Sequence, residues 1–122
     1  MVCIIANWVG EDGQITGDAS KLCAGRIEYF FSQRLLVDND HESYVEVSMA
    51  HVKWFQEHNV RHSFLDPVEI WCNDIFKPFG PASFIPVEKI SEVCVTCELS
   101  IDGENVIAIN PMRKKDISVA KC

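Results

Sequence analysis

Six cysteines, four histidines and twelve aromatic side chains are the parts of this chain that could do chemistry. Cys94-Val95-Thr96-Cys97 has the two-residue gap of a zinc knuckle, and His58 with His62 would bring the set to four ligands. The setting argues against a metal. Both intervening residues are β-branched, no glycine is present to fold a knuckle, and residues three apart on an extended strand point to opposite faces. The expectation is one thiol in the core and one at the surface, with no metal and no cofactor. Cys72, Cys94 and Cys97 lie in stretches rich in Val and Ile, where a free cysteine packs as a small hydrophobe. A cysteine beside His51 or His58 could act as a nucleophile, but no nucleophile elbow, glycine-rich phosphate loop or paired-carboxylate motif accompanies one. The chain reads as non-catalytic.

The aromatics are the stronger lead. The segment 71–90 sets Trp71, Phe76, Phe79 and Phe84 among Pro78, Gly80, Pro81 and Pro86. It is too broken for a helix and too apolar for a linker, so it reads as a buried strand, a rigid aromatic loop and a second strand entering the same core. Trp71 is out of phase with Val68, Ile70 and Cys72, which predicts that its ring lies on the opposite, solvent-facing side of the strand. Phe76 and Phe79 then occupy a loop stiffened by Pro78 and Pro81. An exposed Trp71 beside Phe76 and Phe79, ringed by Glu69 and Asp74, would form a peptide groove or a site for a cationic partner. The competing reading is a loop that folds back to plug an open barrel end.

Charge narrows the partners. A net charge of −7 weighs against gripping a nucleic-acid duplex by a broad basic face. The groups that could serve a nucleic acid are Arg26 and Lys53 on strand faces, and Arg113, Lys114 and Lys115 near the C-terminus, a cluster that also reads as a flexible solubilising tail over 113–122. No apolar run approaches the ~20 residues that cross a bilayer. The apolar opening Met1 to Val9 lacks the basic flank of a signal peptide, and reduced thiols then point to an intracellular protein.

The elements that must position these groups are short strands. Val2 to Val9 reads as an opening strand closed by Gly10-Glu11-Asp12-Gly13, and 14–21 as an irregular connection. Cys23, Ile27, Tyr29 and Phe31 alternate with Arg26 and Glu28, while Gly25 among them signals a bulge or a close backbone approach. Tyr44 to Phe55 is the longest β candidate, with a short amphipathic helix as its alternative. Its apolar phase slips between Met49 and Ala50, so either a bulge sits there or the strand changes the face it buries. Gln56 to Phe64 is polar and loop-like. Val68 to Cys72 and Ile85 to Val87 add two strands, and Val93 to Leu99 and Val106 to Ile109 form a hairpin around Asp102-Gly103. Six or seven strands with regular turns and little helix predict a single all-β domain over 1–112, a small bent-sheet barrel.

Three stretches together suggest a family. Cys23-Ala24-Gly25-Arg26-Ile27-Glu28-Tyr29-Phe30-Phe31, then Ala50-His51-Val52-Lys53-Trp54-Phe55, then Pro78 through Ile90, resemble a β-barrel module of mobile-element-derived proteins from sponges and cnidarians. The same order is loosely similar to bromo-adjacent homology barrels and to barrel-like modules found beside plant transposases. The likeness spans about residues 4 to 110 and rests on core aromatics and turns. It implies an accessory domain that binds chromatin proteins, peptides or another part of its parent protein, with a nuclear location. A nucleic-acid accessory role is the alternative. No methyl-lysine cage and no transposase acidic triad can be carried onto residues of this chain.

Overall fold

The computed structural model describes residues 1–8, 22–38, 43–63 and 66–112. The expected irregular connection over 14–21, the turn after Val9, the barrel domain's residues 9–21, 39–42 and 64–65, and the basic tail with Arg113, Lys114 and Lys115 lie outside them. Among the described residues seven strands form one sheet: β1 (Val2–Ala6), β2 (Cys23–Asp38), β3 (Ser43–Glu57), β4 (Glu69–Phe76), β5 (Phe84–Pro86), β6 (Glu92–Ile101) and β7 (Glu104–Pro111). The order β2-β1-β6-β7-β4-β3 closes on itself through β2–β3 pairing, giving a six-stranded antiparallel barrel, and β5 adds to β3. The all-β barrel expected from the sequence is the fold. The segment Tyr44 to Phe55 is strand, not helix, because its Val and aromatic residues suit a ladder whose two faces are both used.

Two apolar clusters explain the architecture. Cys3, Ile5, Ala24, Phe55, Trp71, Ile107 and Ile109, with Phe76 and Cys94 against them, come from all six barrel strands and fill its interior. Ile4, Ala6, Cys23, Ala50, Val52, Trp54, Ala82 and Ile85 form a second cluster on the outer face of β1, β2 and β3. The segment from Pro78 to Ile90 covers that outer face with a 3₁₀ turn (Pro81–Ser83), β5 and a second 3₁₀ turn (Val87–Lys89). Trp54 fastens the cover: its Nε1 donates to the Ala82 carbonyl at 2.8 Å, and its own carbonyl accepts from the Lys77 amide at 2.8 Å.

The apolar slip at Met49–Ala50 has this cover as its cause. β3 runs without a register shift between those residues, while β2 carries the irregularity, between Ile27 and Tyr29. Ala50, Val52 and Trp54 are buried under the cover, whereas Val45 is exposed, because β2 and β3 outrun the other strands and continue as a two-stranded ribbon. At the other hairpin, Asp102 and Gly103 take φ of 51° and 82°, the left-handed pair that a type I′ turn demands.

Gly25 lies opposite Trp54 in the β2–β3 ladder. A Cβ there would stand 2.4 Å from Val52 Cγ1 and 2.9 Å from Trp54 Cε3. Gly25→Ala is therefore expected to destabilise the barrel by ~1–3 kcal/mol, the usual cost of forcing an extra carbon into a packed core, read by chemical denaturation.

Candidate interaction surface

Antiparallel partners share a face, so the ladder register sorts the ribbon into two surfaces. The pairs Arg26–Lys53, Tyr29–His51, Phe31–Met49, Gln33–Val47 and Leu35–Val45 continue the side of β3 that carries Phe55 into the barrel. This inner face leaves the barrel mouth and runs out along the ribbon. The pairs Phe30–Ala50, Ser32–Ser48, Arg34–Glu46 and Leu36–Tyr44 occupy the outer face, where the Arg34 guanidinium lies 5.0 Å from the Tyr44 ring centre.

At the mouth, Phe55 stacks on Phe76 with ring centres 5.3 Å apart. Two cations also meet the Phe76 ring: the Arg26 guanidinium at 5.0 Å and the Lys53 ammonium at 5.4 Å from its centre. Glu28 ties the two together, 3.0 Å from Arg26 and 3.4 Å from Lys53, and Asp74 stands 4.0 Å from Arg26. The Arg26 hydrogen bond is the main reason the Glu28 carboxyl is held below its ordinary range. Asp74 reaches this position with φ of 63°, a left-handed conformation that Asp tolerates better than most side chains.

Next along the inner face comes an aromatic group. His51 has ring centres at 5.1 Å (Tyr29), 5.7 Å (Phe79) and 5.1 Å (Phe84), and Phe84 also meets Phe31 and Phe79 edge-on at 6.0 and 5.7 Å. Phe79 is 74% exposed and Tyr29 is 53% exposed. Between this group and Phe76 lies a cleft of about 250 Å³ lined by His51, Lys53, Phe76, Lys77, Phe79 and Ser83. The aromatic box is thus closed around the chain's own histidine, whose buried Nδ1 has no hydrogen-bond partner among the described residues.

The five binding residues expected from the sequence divide. Phe79 is exposed, Phe76 is half-buried beside it as the last residue of β4, and Asp74 is exposed nearby. Trp71 is not at the surface: it is 1% exposed and packs inside the barrel. Alternation predicted one wet face for β4, but Ile70 is buried as well, so both faces of the strand start are covered. Glu69 is not free to select a cation, because it holds Arg61 at 2.6 Å. Arg61, which the sequence reading passed over in a polar loop, lies 4.2 Å over the Trp71 ring and donates to the Leu22 carbonyl. Its only sequence signal was Glu57, four residues earlier and now 3.4 Å away.

The thiols fall as the strand argument requires. Cys94 packs against the interior opposite Cys3, while Cys97 is exposed. His58 bonds Glu104 at 2.6 Å instead of joining a ligand set. No group of three potential metal ligands occurs among the described residues, and no helix among them is long and apolar enough to cross a membrane. Comparison with protein-family models, curated proteins and solved structures finds no match to this chain.

Two measurements test this arrangement. Trp71→Ala should cost ~3–5 kcal/mol of stability, as large-to-small changes in a closed core do, and urea unfolding would read it. Burial pushes the Cys94 thiol from its ordinary 9.0 up to about 12. The folded state then keeps a proton that the unfolded chain releases, so this group's contribution to stability is complete below pH 9 and falls as pH rises toward 12. Cys94→Ser should flatten that alkaline decline in a pH series of unfolding curves.

Proposed function

We propose that this chain is a non-catalytic interaction module that binds a protein or peptide along the open inner face of its β2–β3 ribbon. The observation that carries the reading is the continuity of that face. Val45, Leu35, Val47, Gln33, Met49, Phe31, Tyr29, Phe84 and Phe79 follow one another from ribbon to mouth, and among the described residues no β2 or β3 carboxylate on the same face interrupts them before Glu28 at the mouth, where Asp74 also stands. Exposed aromatics of this kind are typical anchors, since they carry large contact area with few rotatable bonds. The chain's net charge of −7 favours a cationic partner. Arg26 and Lys53, the strand-face groups of the nucleic-acid alternative, are each within 4.0 Å of a carboxylate, which supports a protein partner over a phosphate backbone. The resemblance to bromo-adjacent homology and mobile-element modules gives the proposal its chromatin setting and nuclear location.

Phe79→Ala is the direct test, because its ring is exposed and its loss should leave the fold intact. Capture of partner from nuclear extract, and binding to a histone-peptide panel, should fall at least ~10-fold, with the unfolding midpoint unchanged. Undiminished capture, or capture of nucleic acid alone with a steep salt dependence, would move the function off this surface.

A further inference from the structure

β3 has two edges, and they are treated differently. β2 pairs with one edge along nearly its whole length, from Ser43 to Trp54. β5 pairs with the other only over Met49–His51 and ends at Pro86, which has no amide hydrogen to continue the ladder. Over Ser43–Ser48 no described strand pairs with this second edge. Half of the backbone amides and carbonyls there point away from β2. Edge strands are usually blunted by a lysine, a proline or a bulge; these six positions hold no lysine or proline, and the one register irregularity beside them lies on β2, between Leu36 and Asp38 opposite Tyr44 and Ser43.

The edge opens into a groove of about 500 Å³ lined by Val45, Glu46, Val47, Ser48, Val87 and Glu88. Val45 and Val47 lie on the inner face of the ribbon and Glu46 on the outer face. Glu46 and Glu88 are exposed, and neither has an ion-pair partner among the described residues.

We propose that β3 accepts an extended peptide as an added strand along Ser43–Ser48, and that this peptide alternates apolar residues with lysine or arginine. The proposal rests on the interaction-module reading and gives its partner a chemistry. An added strand follows the ladder period of two, so its apolar residues stand opposite Val45 and Val47 and a basic residue stands opposite Glu46. Main-chain hydrogen bonds to the free edge supply affinity, and the alternating side chains supply selectivity. A second copy of the chain is the weaker occupant. Each copy brings a net charge of −7, and its acids would meet the same two carboxylates.

The probe is a capped, fluorescent Val-Lys-Val-Lys-Val-Lys-Val peptide, read by anisotropy with the full chain at moderate salt. Two analogues carry N-methyl groups on all valine amides or on all lysine amides, which keeps the side chains and removes one row of donors. Strand addition predicts that one analogue loses at least ~10-fold in affinity while the other binds nearly as the parent does, because only one row faces the edge. E46Q/E88Q should weaken the parent several-fold, and a Val-Glu peptide of the same length should not bind. Equal binding of both analogues, no binding of the parent, or a dimer in sedimentation that excludes the peptide would overturn the proposal. Phe79→Ala separates it from the broader reading, since the edge lies along the ribbon and the probe should bind that variant normally. Partner capture that depends on Phe79 without alternating-peptide selectivity would sink the edge alone. Peptide binding without any Phe79-dependent capture would sink the aromatic surface alone.

Discussion

Trp54 is the point on which the two layers of this protein depend. Its ring closes over the space that Gly25 leaves open, its indole nitrogen holds Ala82, and its backbone carbonyl holds Lys77. The proline-rich segment is thereby fixed at both ends of its loop against the outer face of β1 to β3. Without that cover, Ile4, Val52 and Trp54 would face water on the outside of the barrel. A barrel of this size fills its own interior with side chains, and here a second apolar layer adds to the stability of a short chain.

The same cover decides where an interaction surface can exist. It buries the outer side of β3 from Ala50 to Trp54, so the opposite side is the one left available where the strand leaves the barrel. His51 and Tyr29 gather there as a consequence of ladder geometry, and Phe79 meets them from the loop after β4. Phe76 marks the boundary: its inward side stacks on Phe55, and its outward side carries Arg26 and Lys53. The barrel end is therefore sealed by a charged rim over an aromatic ring, and the uncharged stripe begins beyond it.

How much of this was legible in the sequence follows from which signals are local. Asp102-Gly103 names its turn because only two backbone conformations, both left-handed, complete it. Gly25 was legible for a similar reason: a missing side chain within a run of large ones marks a close approach. The opposite faces of Cys94 and Cys97 followed from strand period alone. Trp71 was misread because period two says which residues share a face and nothing about what lies across from that face. Its burial depends on Arg61 and on Phe55, both distant in sequence from β4's own pattern. The pairing of Glu69 with Arg61 was hidden likewise, since an ion pair across a loop leaves no periodic trace. The slip at Met49–Ala50 was seen, but its cause lay thirty residues away in the cover.

The ribbon's unequal support has a consequence for how the molecule moves. Two strands alone are marginally stable in water, while the same strands inside the barrel are held on both sides. Backbone amides of β2 and β3 should therefore exchange with solvent on a graded timescale, slow near Trp54 and progressively faster toward Leu35 and Val45. The ribbon behaves as a hinge without a joint, stiff at its root and pliable at its tip. A partner that docks along it would extend order outward one rung at a time, so occupancy would register as a lengthening of the rigid part.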